Sequence, residues 1–211
     1  MSSSLRPGSG GEDEKDPHVL RNKGGFLSPV ISIVTHEGRP TVLKDYRPKN
    51  PLTRGLLAPS LVRREFAVLR LLHGIPGIPR AFGIVKKRAF LLEYIDGKTL
   101  NKFGPGELPD RVFERLCETV RAIHARGVAH LDLRQRKNIL IAGDQPWIID
   151  FANAVRGRLA RRLFSIDESA LLKFKQRNWP HLVTPADLEA IKDHKFLRKF
   201  WIFSPRGKSV R

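Results

Sequence analysis

The apolar and polar positions in the first half of the chain predict a small sheet with one helix. The segment PVISIVTHEGRPTVLKDY contains two strand-like runs separated by a tight turn at Glu37 and Gly38. RPKNPLTRGLLAP then predicts a loop. Ser60 is placed to cap a helix that ends at Gly74, because apolar residues recur there with the helical period. The predicted strands of this part are 29–35, 40–46, 80–85 and 88–95.

The pattern becomes mainly helical after Gly97. The segment RVFERLCETVRAIHARG follows Pro109, has one apolar face and stops at Gly127, which predicts an amphipathic helix. Thr184 and Asp187 have the spacing of a capping box, with proline at the first helical position between them. The remaining predicted elements are strands at 138–141 and 146–149 and helices at 167–177 and 185–201.

These elements predict an α+β protein in which an antiparallel-sheet lobe precedes a mainly helical lobe. The first residues are rich in serine, glycine and acids, which is typical of a disordered tail. The predicted units are a disordered tail at 1–17, an N-lobe at 18–96, a C-lobe at 97–204 and a basic tail at 205–211.

Composition adds a strong charge bias. The formal net charge is +18, from 39 Lys and Arg against 21 Asp and Glu, so nucleotide phosphates, an acidic lipid surface or nucleic acid are the expected partners. Cys117 is the single cysteine, which excludes a disulfide framework within the chain and favours a reducing compartment. No stretch approaches the roughly 18 apolar residues of a spanning helix. We therefore expect a cytoplasmic protein, with peripheral contact to the inner membrane as an open alternative.

Two acids stand beside the last predicted strands. Asp132 and Asp150 are 18 residues apart, and the hairpin between them would hold both carboxylates at one mouth. Phosphoryl transfer uses such a pair, one to orient and deprotonate the attacking hydroxyl and one to hold metal ions on the nucleotide phosphates. Asn138 adds a neutral oxygen, a ligand type that magnesium accepts.

The segments that carry these residues resemble protein kinases. HLDLRQRKNIL at 130–140 resembles the catalytic loop, and IIDFA at 148–152 resembles the metal-binding end of a strand. TVLK at 41–44 looks like the third-strand motif, and LEY at 92–94 looks like the hinge between the lobes. The resemblance covers residues 28–153.

The resemblance implies a two-lobed protein-kinase-like fold, with a small antiparallel-sheet N-lobe and a shortened helical C-lobe, that uses ATP and Mg²⁺. It implies that Asp132 is the catalytic base and that Arg134 stabilises the transferred phosphoryl group. The other implied site residues are Lys44 with its ion-pair partner Glu65, Glu93 and Tyr94 at the adenine, and Asn138 and Asp150 as metal ligands.

The chain also departs from protein kinases. Gly38 stands alone where protein kinases repeat glycines over the phosphates, and Asn138 lies one residue further from Asp132 than in their catalytic loop. Only 61 residues follow Asp150, without an Ala-Pro-Glu motif. These features are similar to the compact atypical kinases of bacteria.

Two later segments narrow the resemblance. DESALLKFKQ at 167–176 and TPADL at 184–188 resemble the lipopolysaccharide core (Kdo/heptose) kinase group. The resemblance implies an anionic acceptor, either a lipopolysaccharide core sugar or a protein serine or threonine. Fold alone does not choose between them.

Two other functions stay open. A pseudokinase that binds a partner without catalysis is compatible with the missing glycines and the longer catalytic loop. A basic nucleic-acid binder is compatible with the charge and with the last predicted helix, but no nucleic-acid motif supports it and it ranks third. That helix interleaves bases with aromatic and aliphatic residues, which also suits contact with an anionic membrane. Its apolar residues are Phe196, Leu197, Phe200, Trp201 and Phe203.

Overall fold

The computed structural model describes residues 18–21, 29–46, 51–85 and 87–198 of the chain. Its strands are β1 (His18–Arg21), β2 (Val30–His36), β3 (Arg39–Asp45), β4 (Ala81–Val85), β5 (Ala89–Glu93), β6 (Lys98–Thr99), β7 (Val128–Ala129), β8 (Ile139–Ala142), β9 (Gln145–Ile148) and β10 (Val155–Arg156). Its helices are α1 (Pro51–Leu71), α2 (Asp110–Ala125), α3 (Arg158–Arg161), α4 (Phe164–Asn178) and α5 (Pro185–Arg198). Single turns of 3₁₀-helix lie at Leu100–Lys102, Arg136–Asn138, Phe151–Asn153 and Pro180–Leu182.

The first lobe is an antiparallel five-stranded sheet in the order β1-β2-β3-β5-β4, with α1 inserted between β3 and β4 in the chain. Glu37 and Gly38 form the β2–β3 turn, with φ of 50° and 72° at the two positions. Two consecutive left-handed residues match the twist of a tight hairpin. β3 pairs with β2 on one side and β5 on the other, so Lys44 lies on a central strand opposite Ile31 and Phe90.

The start of α1 corrects the sequence prediction. The helix begins at Pro51, so the predicted loop at 47–59 and the predicted start after Ser60 are wrong from Pro51 onward. Proline at a first helical position lacks only an N–H that the helix leaves unpaired in any case. Pro59 lies inside the helix, where it removes one backbone hydrogen bond. Packing of α1 against β4 and β5, with Val62 fully buried, overrides that local preference.

The second lobe is built around α2, whose apolar face is buried against β9, β7 and α4. β6, β8 and β9 form a small sheet in that order, and each of the last two strands differs by one residue from its predicted range. Trp179 is fully buried, and its ring centroid lies 5.1 Å from that of Phe113 with the two rings tilted by 40°. Its indole N–H donates to the carbonyl of Leu108 at 3.0 Å. Burial raises the pKa of the Cys117 thiol to about 11, so that thiol stays protonated.

The predicted capping box is present at the start of α5. The backbone N–H of Thr184 donates to Asp187 Oδ2 at 2.8 Å, and the N–H of Asp187 donates to the Thr184 hydroxyl at 3.2 Å. Lys175 of α4 donates to the same carboxylate at 2.7 Å, which joins the two helices. The Lys175 ammonium and the Thr184 N–H together lower the pKa of Asp187 to about 2.

α4 begins three residues before its predicted start, at Phe164, and α5 is described to Arg198. The predicted tails at 1–17 and 205–211, and the end of the predicted last helix, lie outside the described residues. Among the described helices, none combines the length and the apolar character needed to cross a membrane. One hydrophobic core runs through both lobes, and the predicted α+β fold with an antiparallel-sheet N-lobe is confirmed.

Gly77 is the point where the chain after α1 packs closely on the second lobe. Its carbonyl accepts a hydrogen bond from the N–H of Ile148 at 2.8 Å, and its φ is 83°. A Cβ at this position would lie 2.5 Å from the carbonyl oxygen of Pro146. Gly74 has a similar φ of 85° but no atom within 4 Å of an added Cβ.

We expect Gly77→Ala to reduce the free energy of unfolding more than Gly74→Ala. Both variants incur the left-handed penalty of about 1–2 kcal/mol, and Gly77→Ala adds a backbone clash of roughly 1–3 kcal/mol. Denaturant unfolding of both variants measures the difference. Equal losses would show that the β8–β9 hairpin moves freely away from Gly77.

Candidate active site

A buried ion cluster connects the two lobes. Lys44 Nζ lies 2.7 Å from Glu65 Oε1 on α1 and 2.8 Å from Asp150 Oδ1 after β9. The Lys44 side chain is 4% exposed, that of Glu65 1% and that of Asp150 33%. Burial by itself lowers the pKa of Lys44, but the carboxylates of Glu65 and Asp150 outweigh it and raise that pKa above its ordinary value. Lys44 is therefore a cation held between one fully buried and one partly exposed acid.

Tyr46 completes this cluster and was not predicted. Its hydroxyl donates to Glu65 Oε2 at 2.6 Å, so both oxygens of that carboxylate have a donor. Burial and the negative charge of Glu65 raise the pKa of Tyr46 far above its ordinary value, so the hydroxyl keeps its proton. The signal available in the sequence is the spacing, because residues two apart on an extended segment point to the same face.

The second group of polar residues lies on the loop between β7 and β8. Asn138 Nδ2 donates to the backbone carbonyl of Asp132 at 3.0 Å and to Asp132 Oδ2 at 3.1 Å. Gln135 Nε2 lies 2.7 Å from each oxygen of the Asp132 carboxylate. The additional residue before Asn138 is therefore accommodated in the 3₁₀ turn at Arg136–Asn138, and the amide still reaches Asp132. Nothing in the sequence pattern indicated the contact made by Gln135.

His130 joins the two groups of residues. Its ring is fully buried, Nδ1 accepts from the N–H of Asp132 at 3.2 Å, and Nε2 lies 3.1 Å from the carbonyl of Ile149. Burial lowers the pKa of His130 below its ordinary value, against the opposing effect of Asp167, so the ring is neutral with its proton on Nε2. The N–H of Ile149 also donates to the carbonyl of Asn138 at 2.9 Å. These bonds hold the Asp132 loop beside Asp150.

Asp167 on α4 binds the backbone of the same loop. The sequence pattern did not identify it as a site residue. Its Oδ2 accepts from the N–H of His130 at 2.7 Å and lies 3.1 Å from His124 Nε2, and its Oδ1 accepts from the N–H of Leu131 at 2.9 Å. Leu131 has a φ of 67°, a conformation that needs external support in a residue with a side chain. A carboxylate 36 residues away in sequence supplies it, and sequence spacing gives no sign of that contact.

Asp150 also has a left-handed backbone, with φ of 67°. The conformation turns the chain out of β9 and into the 3₁₀ turn at Phe151–Asn153. Phe151 is buried and lies edge-on to the His130 ring at 4.7 Å. Packing of Phe151 therefore supports the strained residue whose carboxylate binds Lys44.

Three predicted residues lie apart from these contacts. Arg134 is exposed and makes no hydrogen bond or ion pair with any described residue. Glu93 ends β5, and its Oε2 accepts from the N–H of Arg80 at 3.0 Å. Tyr94 follows it, half-buried. The roles assigned to Arg134, Glu93 and Tyr94 stay predictions.

Asn138 and Asp150 have the chemistry of a magnesium site. Both hydrogen bonds of the Asn138 amide use its nitrogen, which leaves the amide oxygen as a ligand atom. The carboxylate of Asp150 is partly exposed. Within the described residues there is no cluster of three or more His, Cys, Asp or Glu suited to a metal. Magnesium is commonly held by one or two carboxylates together with substrate phosphates and water, so this sparse set fits it.

The fold and the site define a protein-kinase-like class, and comparison with known proteins agrees. The model of the RIO domain family matches residues 43–188, well over half of the chain, so the chain belongs to the RIO family of atypical kinases. The fold is similar to the crystal structure of the Rio2 kinase from Chaetomium thermophilum, with a TM-score of 0.62 and 22% identity over 83% of this chain and 62% of that one. An ADP/Mg²⁺-phosphoaspartate complex of that kinase gives a TM-score of 0.59 and 22% identity, over 83% of this chain and 61% of that one.

Sequence relatives include plant kinases. The CBL-interacting serine/threonine-protein kinase 12 of Arabidopsis thaliana is 33% identical over 140 residues, which are 63% of this chain and 28% of that protein. A putative CBL-interacting protein kinase 13 of Oryza sativa subsp. japonica is 30% identical over 155 residues, 65% of this chain and 30% of that protein. The chain thus spans less than a third of the length of these relatives. The predicted kinase-like fold is confirmed.

We expect Tyr46→Phe to lower the free energy of unfolding by about 1–3 kcal/mol, because one oxygen of a buried carboxylate loses its donor. Tyr94→Phe is the matched control, since the Tyr94 hydroxyl makes no hydrogen bond with a described residue, and its effect should stay within about 0.5 kcal/mol. Urea unfolding measures both variants. Equal values for the two would show that Glu65 is held by Lys44 alone.

Asp167→Asn should destabilise the chain by roughly 2–3 kcal/mol, because the amide nitrogen replaces one oxygen and leaves one of the two backbone N–H groups without an acceptor. Glu168→Gln, the exposed neighbour on α4, is the control. Amide hydrogen exchange at His130 and Leu131 should become faster only in the Asp167 variant. Unchanged exchange there would contradict the anchoring role.

Proposed function

We propose that the chain is an ATP- and Mg²⁺-dependent kinase that transfers the γ-phosphoryl group to a hydroxyl acceptor. The observation that carries this proposal is the bridge of Lys44 between Glu65 and Asp150, beside a loop that presents Asp132 and Asn138. A buried cation, a partly exposed acid and a second acid on an adjoining loop are the groups that phosphoryl transfer needs. The similar Rio2 kinase forms a complex with ADP and Mg²⁺, which supports the binding of an adenine nucleotide and Mg²⁺ by this chain.

The residues have distinct roles in this proposal. Lys44 binds the nucleotide phosphates, and Glu65 with Tyr46 fixes its position. Asn138 and Asp150 hold Mg²⁺, which when bound neutralises charge on the phosphates. Arg134, exposed on the same loop as Asp132, adds positive charge near the transferred phosphoryl group. Glu93 and Tyr94, where β5 ends, contact the adenine.

Asp132 takes the proton of the acceptor. As the acceptor oxygen bonds to the γ-phosphorus, the bond from that phosphorus to the β–γ bridging oxygen breaks and ADP leaves with both electrons. The acceptor proton passes to Asp132 and then to water. The Gln135 amide lies on both oxygens of this carboxylate, so the acceptor hydroxyl takes the place of that amide when it binds.

A protein serine or threonine is the acceptor that we favour over a lipopolysaccharide core sugar. The two segments that resemble the lipopolysaccharide core kinases contain Asp167, which anchors the catalytic loop, and Thr184 with Asp187, which cap α5. Their likeness is therefore accounted for by the fold and carries no information on the acceptor. The Arabidopsis thaliana relative is named a serine/threonine-protein kinase and the Oryza sativa relative a protein kinase, and both names support a protein acceptor.

Two further parts of the proposal concern location and organisation. The net charge of +18 supports a cytoplasmic protein that touches an anionic membrane peripherally through its basic C-terminal segment. We propose residues 18–96 as the N-lobe and 97–204 as the C-lobe, with 1–17 and 205–211 as tails. Binding of the chain to anionic against neutral vesicles tests the membrane contact.

We expect Asp132→Asn to reduce phosphoryl transfer from labelled ATP at least about a hundredfold, because the base and its charge are lost together. Glu118→Gln, an exposed acid on α2, is the charge-matched control and should keep full activity. The assay uses protein, sugar and lipopolysaccharide acceptors in parallel. Equal rates in Asp132→Asn and the unaltered chain would make the base assignment wrong.

A pseudokinase scaffold is the second candidate. Two observations favour a scaffold. Gly38 is the only glycine of the β2–β3 turn, and the Asp132 carboxylate accepts hydrogen bonds from Gln135. Thermal unfolding with ATP, with and without Mg²⁺, separates the two functions, because a ligand that binds the folded state raises its stability. Absence of a magnesium-dependent rise would support the scaffold. Steeply salt-dependent oligonucleotide binding that persists in Asp132 and Asp150 variants would support the third candidate, a nucleic-acid binder.

A further inference from the structure

A surface cavity of about 690 Å³ lies between α1, the turn before β5, and β10, outside the site described above. Four of its lining residues are basic: Arg63 and Arg64 on α1, Lys87 in the turn, and Arg156 on β10. Ser60 adds a hydroxyl, and none of the described residues that line the cavity is acidic. Both lobes therefore contribute cations to one concave surface.

Most of these cations have no partner among the described residues. Arg63, Lys87 and Arg156 are exposed, and none of them makes a hydrogen bond or ion pair with a described residue. Arg64 Nη2 donates to the carbonyl of Ala154 at 2.8 Å, which leaves the other guanidinium N–H groups available. Like charges gathered in this way repel one another, and a bound anion relieves the repulsion.

The composition of the cavity indicates which anion. Guanidinium groups match the oxygens of a phosphate with paired hydrogen bonds, and the Ser60 hydroxyl adds a donor. Single-stranded nucleic acid is recognised with aromatic platforms, and none of the described residues that line this cavity is aromatic. The volume exceeds what a free phosphate ion fills, so it has room for the residue that carries the phosphate. We propose that this cavity binds a phosphorylated serine or threonine of a partner protein.

The basic cavity and the ion cluster of Lys44, Glu65 and Asp150 share helix α1. Arg64 is next to Glu65 in α1, and its hydrogen bond to Ala154 already ties the helix to the segment that follows Asp150. A phosphate shared between α1 and Arg156 on β10 adds a second tie between the same elements. Its binding therefore stabilises the position of α1 in which Glu65 meets Lys44. The binding itself does not depend on the proposed phosphoryl transfer.

Titration of the full chain with a glycine-flanked phosphoserine peptide tests the proposal. The double variant Arg63→Gln with Arg156→Gln should bind this peptide at least about tenfold more weakly, because charge-assisted hydrogen bonds are lost. Arg121→Gln with Arg162→Gln removes the same charge from exposed positions outside the cavity and should keep the affinity. Peptide binding should also slow amide exchange in α1 and β10.

Several outcomes overturn the proposal. If the cavity variant and the control variant bind the peptide with equal affinity, the cavity is not the binding site. If ADP competes with the peptide, the peptide binds in the nucleotide cleft instead. If the unphosphorylated peptide binds equally well, the site does not recognise the phosphate group. If inorganic phosphate binds with the same affinity as the peptide, the site does not require a phosphate carried by a protein. Binding of a single-stranded oligonucleotide, but not of the peptide, by the unaltered chain assigns the surface to nucleic acid instead.

Discussion

The rest of the structure depends on a buried ammonium. Lys44 is 4% exposed, and an unpaired charge at that depth costs several kcal/mol in desolvation. Glu65, on the helix of the same lobe, compensates this charge, and Asp150, at the end of a strand in the other lobe, adds a second carboxylate when the two lobes meet. The Lys44 ammonium thus links the two lobes, because it contacts one carboxylate from each of them.

The loop that carries Asp132 is held by other contacts, between buried side chains and backbone groups. Leu131 and Asp150 both have left-handed backbones, which a loop does not keep without outside support. Asp167 accepts two backbone N–H groups of that loop, and the His130 ring bridges it to Ile149. Buried side chains replace the regular hydrogen bonds of a strand, so a short irregular segment becomes rigid.

Part of the excess positive charge of the chain is concentrated at one place on the surface. It forms the cavity lined by Arg63, Arg64, Lys87 and Arg156, which lies against the same helix that carries Glu65. A helix that contributes to an internal ion pair on one side and gathers cations on another can connect an external anion to the active site. This gives the excess positive charge a place in the function proposed for the chain.

The sequence by itself determined four of the five strands of the antiparallel sheet, α2, the capping box of α5 and the elements that carry Lys44 and Asp150, because these follow from local periodicity and from motifs with fixed spacing. It did not predict β1. It did not determine the start of α1, where prolines argue locally against a helix and packing against the sheet prevails. Nor did it indicate that Tyr46 and Asp167 support the site. Contacts between residues far apart in sequence depend on how the lobes pack, and only the tertiary structure decides them.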